Sequence, residues 1–181
     1  RPLHAAIHCD ASEFLQALVG EAMAFERGPD SSWVEQCSTW KREYNPILPV
    51  YRQERLNPYA FVEALGRVLD PEDVIVSDTG CALGWMAQAF NFTGQRFLHA
   101  WNNTPMGYGL PAAVGAAFAH PDRRIVLITG DGGLAVNITE FATVARHDLN
   151  IKVILFDNKA HSMCVQTQRM WLGGETPSTT Y

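Results

Sequence analysis

An aspartate set among glycines, Gly130-Asp131-Gly132-Gly133, follows the apolar run Ile125 to Thr129, and an asparagine, Asn158, follows a second apolar run, Ile151 to Phe156. Short apolar runs of this kind read as buried strands of a parallel sheet, and a helix between them makes both run the same way. A carboxylate and a carboxamide then project from one carboxyl edge, where open α/β sheets bind their ligands. Hard oxygen donors suit a hard cation, and a Mg²⁺ held by few side chains takes its remaining oxygens from phosphate. Gly132 and Gly133 leave the backbone beside Asp131 open to a bulky anion. The pattern predicts a Mg²⁺-diphosphate. The plain alternative is that Asp131 makes a turn and Asn158 caps a loop, roles both residue types favour.

A second motif competes. Gly107-Tyr108-Gly109-Leu110-Pro111-Ala112 fits G-x-G-x-x-A, and Asp131 falls near the place of a ribose-binding acid, which together predict an NAD(P)-binding oxidoreductase module. That reading gives no role to Asn158 or to the glycines around Asp131. Met106, taken alone, is a filler of core gaps, and His161, taken alone, is a surface or backbone-bonding histidine.

The elements that must position these residues follow from spacing. Asp10-Ala11-Ser12-Glu13 is a capping-box pattern, and Phe14, Leu15, Leu18, Val19 and Ala22 predict a helix over 11–25, ended by Gly28-Pro29-Asp30. A helix over 32–44 carries Trp33, Cys37 and Trp40 on one stripe, and Asn45 to Pro58, with Pro46 and Pro49 between, reads as an extended linker. Asn57 caps a helix with Phe61, Leu65 and Val68 inward. Strands at 74–78, 96–99, 125–129 and 151–156 alternate with helices over 82–91 and 107–119. A third helix is started by Asn137-Ile138-Thr139-Glu140, with Ile138, Phe141, Ala142 and Ala145 toward the sheet. The expected fold is α/β, a doubly wound parallel sheet with helices on both faces, incomplete at the C-terminus and cut from a longer polypeptide.

Composition narrows the partners. A chain of 181 residues with 47% hydrophobic and 18% charged residues is ordinary for a globular core, and a net charge of −5 gives no basic footprint for nucleic acid. Cys9, Cys37, Cys81 and Cys164 form no CxxC pair, which suits a reducing, cytoplasmic setting. No apolar stretch reaches membrane-spanning length and the amino terminus lacks the shape of a signal peptide, so neither membrane insertion nor secretion is expected.

The stretch GDGGLAVNITEFATVARHDLNIKVILFDN resembles the diphosphate-binding motif of thiamine diphosphate enzymes, and TPMGYGLPAAVGAAFAHPD resembles the segment just upstream in acetolactate synthase and its relatives. With Val74 to Met86, the likeness runs from the first predicted strand to the end of the chain. It implies that residues 1–27 are the tail of a preceding middle domain, 28–57 a helix and linker, and 58–181 a truncated diphosphate-binding domain. Asp131, Asn158 and the main-chain carbonyl of Ala160 would hold Mg²⁺. Gly130, Gly132, Gly133, the loop His161-Ser162-Met163 and the turn Thr79-Gly80-Cys81 would hold the diphosphate, although acetolactate synthases usually carry a Gly-Gln-His type sequence where this chain has Gly80-Cys81-Ala82.

By the same resemblance Met106 matches the bulky apolar residue that wedges between the cofactor's two rings, and the carbonyl of Thr104 would accept from the 4′-amino group, at a place where the family more often has glycine. His161, Gln166 and Gln168, which follow the metal loop, would face substrate. Thr167 stands where acetolactate synthases have a substrate-selecting tryptophan, which implies a different acceptor. The implied reaction is decarboxylation of a 2-oxo acid such as pyruvate and transfer of the two-carbon unit to an acceptor carbonyl, or decarboxylation without carboligation. The family's catalytic glutamate comes from a separate pyrimidine-binding domain, usually of a second subunit. This chain alone is therefore expected to be inactive and the whole protein to be a homo-oligomer. A flavin site would lie mostly in the middle domain, so FAD is left open.

Overall fold

The computed structural model describes residues 6–24, 30–54 and 56–179. The chain falls into two compact units, Arg1–Asn45 and Pro46–Tyr181. The first holds two helices, α1 (Ala11–Ala24) and α2 (Ser31–Glu43). Asp10 caps α1 by accepting from the Ser12 amide at 2.8 Å. Asp30 caps α2 by accepting from the Ser32 and Trp33 amides. The Ser32 hydroxyl bond, followed by those amides, holds the Asp30 carboxyl below its ordinary value. Trp33 and Trp40 meet edge to face at 5.6 Å, as the stripe predicts, but α2 has no buried residue. Gly28 and Pro29, expected to end the first helix, lie outside the described residues.

The second unit opens on a 3₁₀ turn, Pro49–Arg52, where the sequence suggested an extended linker. Side-chain contacts fold this segment back. Tyr51 stacks on Tyr59 with ring centroids 5.8 Å apart, and Arg52 pairs with Glu63 at 2.8 Å. Helix α3 (Pro58–Val68) follows, capped as expected by the Asn57 side chain on the amides of Tyr59 and Ala60. Its inward residues are Phe61, Val62 and Leu65, continued by Leu69. Val68, expected inward, is exposed, because the face one turn beyond Leu65 passes through Leu69.

Four strands form one parallel sheet in the order β2-β1-β3-β4: β1 (Val74–Ser77), β2 (Arg96–Leu98), β3 (Ile125–Gly130) and β4 (Ile151–Phe156). Alternate side chains divide between two cores. Ile75, Val126 and Ile128 pack with α3 and with Met86 of α4 (Cys81–Ala89), whereas Val74, Val76, Ile125 and Leu127 pack with Leu110 and Ala113 of α5 (Gly109–Ala119). Every residue of β1 is buried, which is why its sequence is a continuous apolar run rather than an alternating one. The chain leaves β1 for β2 across one face and returns from β2 to β3 across the other. Right-handed crossovers demand this face change when the direction of strand addition reverses. The reversal makes the carboxyl ends of β1 and β3 the switch point of the sheet.

One stretch departs from expectation. Helix α6 (Asp131–Val136) begins at Asp131 itself, a 3₁₀ turn occupies Ile138–Glu140, and α7 (Phe141–Arg146) follows. Asn137 does not cap a helix; its amide instead donates to the Gly107 carbonyl at 2.8 Å. The break resets the helical phase. Leu134 and Val144 therefore meet the sheet, and Ile138, Phe141, Ala142 and Ala145 are exposed. A last helix, α8 (Ser162–Trp171), carries the loop beyond β4 away from the edge.

Candidate active site at the carboxyl edge of the sheet

The register of β3 against β4 pairs Gly130 with Phe156. The residues just beyond that pair, Asp131 on one strand and Asp157-Asn158 on the other, therefore stand side by side. Asp131 Oδ2 accepts from the Lys159 amide at 2.8 Å and Oδ1 from the Gly132 amide at 2.9 Å. Asn158 Oδ1 accepts from the Ala160 amide at 3.0 Å, and its Nδ2 donates to the Ser162 hydroxyl. Lys159, with φ of +58°, makes the bend that returns the loop toward Asp131. Beside it Asp157 sits below its ordinary pKa, chiefly through the hydrogen bond from the Lys159 ammonium.

These residues wall a cavity of about 200 Å³ whose rim gathers Gly80, Cys81, Met106, Gly130, Asp131, Gly132, Gly133, Asn158, Ala160, His161, Ser162 and Met163. Twelve positions proposed from separate parts of the sequence thus meet at the predicted edge. Trp85 and Phe156, with ring centroids 5.0 Å apart, add apolar wall. Other expected residues lie elsewhere. Thr104 is outside the cavity, in an exposed turn where its φ of +40° is a conformation that glycine adopts more easily. Gln166 lines an adjoining cleft with Arg169, on the far side of Asn158, Ala160 and Ser162.

The donor chemistry fits a hard cation with an anionic ligand. Among the described residues no three His, Cys, Asp or Glu side chains cluster as a metal site. An ion at Asp131 would have one carboxylate, one amide oxygen and a main-chain carbonyl, and would need oxygens and negative charge from its ligand. A second observation points the same way. Thr79 lines the cavity, its hydroxyl is buried with no hydrogen-bond partner, and Gly80 beside it has φ of +121° with open space where a side chain would stand. An unpaired buried hydroxyl is costly, and a phosphate oxygen would satisfy it.

Spacing alone did not single out Thr79 or Asp78. Asp78 is 1% exposed and accepts from the amides of Thr79 and Gly107 and from the Thr129 hydroxyl. The available signal is an acid closing a fully buried strand. The G-x-G-x-x-A reading fares poorly in the same geometry. A side chain at Gly107 would meet Val136 at 2.6 Å, and α5 starts well beyond the end of β2, so the glycines are packed against protein rather than open to a dinucleotide.

Residues 78–181 match the family model of the thiamine pyrophosphate enzyme C-terminal TPP binding domain. Across 98% of its length the chain is 32% identical to the acetolactate synthase isozyme 1 large subunit of Escherichia coli (strain K12), of which it covers 31%. It is also 32% identical, over 91% of its length, to the probable acetolactate synthase large subunit of Methanocaldococcus jannaschii, covering 29% of that protein. Over 78% of its length it is 31% identical to the acetolactate synthase large subunit of Pyropia yezoensis, covering 24% of it. The chain thus spans less than a third of these relatives' length.

Proposed function

The chain belongs to the thiamine pyrophosphate enzymes, carrying their C-terminal TPP binding domain, and from that premise we propose that it is the diphosphate-binding part of a Mg²⁺-dependent carboligase of the acetolactate synthase type. The observation that carries the proposal is the cavity at the switch point, lined by Asp131, Asn158 and Thr79 with its orphan hydroxyl. Asp131, Asn158 and the Ala160 carbonyl hold the metal, and Gly80, Gly133 and the Thr79 hydroxyl face the phosphates. Met106, 42% exposed, is free to press against a ring of the ligand. His161, just before α8, and Met163, in its first turn, line the same cavity. Thiamine diphosphate supplies, when bound, an acidic ring carbon and an electron sink for decarboxylation of a 2-oxo acid such as pyruvate. This chain's own share is to orient the cofactor, balance its phosphate charge and keep water from the reacting face.

Thr167 bears on the acceptor. Its hydroxyl bonds back to the Met163 carbonyl at 3.0 Å and its side chain is exposed and small, which leaves room for a larger polar carbonyl compound than an acetolactate synthase tryptophan would. The catalytic carboxylate for the cofactor's other ring belongs to another domain or subunit, so activity resides in the longer, oligomeric protein. Free cysteines at positions 9, 37, 81 and 164 agree with a cytoplasmic setting, and among the described residues no helix is long and apolar enough to cross a membrane.

The test is calorimetric titration of the full-length protein with thiamine diphosphate plus Mg²⁺ and, separately, with NAD. Saturable binding of the first, lost in Asp131→Ala, is expected, with CO₂ released from 2-oxo acids and the acceptor identified from a panel of aldehydes and ketones. Binding of NAD alone, or undiminished affinity in the variant, would overturn the assignment.

A further inference from the structure

We propose that Asp78 is a positioning residue, a buried carboxylate that latches together the three segments from which the cofactor cavity is built; the functional side of this rests on the thiamine diphosphate reading above. Its three hydrogen bonds go to three places. Oδ1 accepts from the Thr79 amide at 2.7 Å, in the turn that carries the orphan hydroxyl, and from the Gly107 amide at 3.0 Å, next to Met106. Oδ2 accepts from the Thr129 hydroxyl at 3.2 Å, two residues before Asp131. Asp78 makes none of the ion pairs found among the described residues, so these bonds are what offset its burial.

The glycine motifs are shaped around this group. A Cβ at Gly133 would lie 2.7 Å from Asp78 Oδ2, and one at Gly109 would lie 2.8 Å from Leu127 Cδ1, 2.9 Å from Asp78 Cβ and 3.1 Å from its Oδ2. The glycine of each motif therefore makes room for the carboxylate, which is a different reason from close approach to a ligand. Gly107 is held from both sides, its amide by Asp78 and its carbonyl by Asn137 Nδ2 at 2.8 Å. The backbone that bears Met106 is thereby fixed relative to Thr79, just beyond β1, and to Asp131, just beyond β3.

The geometry separates two substitutions. Asp78→Asn keeps the shape and the oxygen that serves the two amides. Its new amide can donate to the Thr129 oxygen while the threonine proton turns to the Gly130 carbonyl, already 3.1 Å away. Asp78→Ala leaves two amides without an acceptor, and this is the costly kind of loss.

The experiment uses the full-length protein and two readouts, amide hydrogen exchange without ligand and calorimetric affinity for thiamine diphosphate with Mg²⁺. Asp78→Ala is expected to speed exchange across residues 104–110 by at least about tenfold and to weaken cofactor binding by a similar factor, while exchange in α3 stays unchanged. Asp78→Asn stays within about threefold of the parent on both. Should Asp78→Ala not fold, Thr129→Val removes the Oδ2 bond, together with the hydroxyl's contact to its neighbouring Gly130 carbonyl, and is expected to weaken binding about threefold with both amide bonds to Asp78 intact. Parent-like exchange and affinity in Asp78→Ala, or in Thr129→Val if that is the variant measured, would overturn the latch, as would damage in Asp78→Asn equal to that in Asp78→Ala. A parent that does not bind thiamine diphosphate would sink the reading of the cavity, and the exchange arm would still decide whether Asp78 ties the segments together.

Discussion

At Thr79 the requirements of folding and of binding point in opposite directions. Its hydroxyl is buried without a partner, so Thr79→Val should hold or slightly raise the melting temperature of the unliganded protein. If a phosphate oxygen meets that hydroxyl, the same substitution should weaken thiamine diphosphate binding by about 1 kcal/mol, roughly fivefold. Thermal unfolding and calorimetry on one pair of proteins read both signs, and a loss of stability without loss of affinity would contradict the account. Asp131 and Asn158 were legible in the sequence because strand ends and glycines announced them. The turn at Thr79 is expected from the resemblance but its orphan hydroxyl is not, and Asp78 is not legible, since a three-way acceptor exists only once Gly107 and Thr129 are brought beside it.

The strands were readable for a related reason. Strands covered on both faces read as short apolar runs, and Val74 to Val76 and Ile125 to Ile128 are buried throughout. The helix after β3 was misread because GDGGLAV is poor in helix formers and Asn137 looked like a cap, whereas tertiary contacts fold α6 and recruit Asn137 to Gly107. Val68 was misassigned by one step along α3, where Val62 is the residue buried to 1%. Val62→Ala should accordingly cost ~1–3 kcal/mol in denaturant unfolding and Val68→Ala almost nothing. The strap on α3 has a pH signature. The hydrogen bond from Arg52, opposed by desolvation, leaves the Glu63 carboxyl below its ordinary 4.5. Its contribution is therefore present above that value and is lost as pH falls through the depressed one. Arg52 is half exposed, so Glu63→Gln should cost under ~1 kcal/mol near neutrality and flatten the acid limb of a stability-pH curve. An unchanged limb would show that the pair contributes nothing.

Over the whole molecule, every residue of the cavity belongs to the unit Pro46–Tyr181. Ligand that binds only the folded state stabilises it by mass action, about 2.7 kcal/mol at a hundredfold excess over Kd. Protection from hydrogen exchange by thiamine diphosphate and Mg²⁺ should then appear within residues 46–181 and leave α1 and α2 as they were. Equal protection of residues 11–43 would show that the ligand engages the first unit as well. The chain covers 31% of its Escherichia coli relative, so the cavity's remaining walls belong to the longer protein and its partners by the reading proposed above.

The central claim is that one divalent ion bridges the tips of β3 and β4 and anchors a phosphorylated cofactor. The most direct measurement is a crystal structure of the full-length protein grown with thiamine diphosphate and Mn²⁺, located by its anomalous scattering. The account predicts a single peak at roughly 2.0–2.3 Å from the Asp131 carboxylate and Asn158 Oδ1, completed by diphosphate oxygens. A cofactor bound with no peak there, or a metal held by other residues, would contradict it.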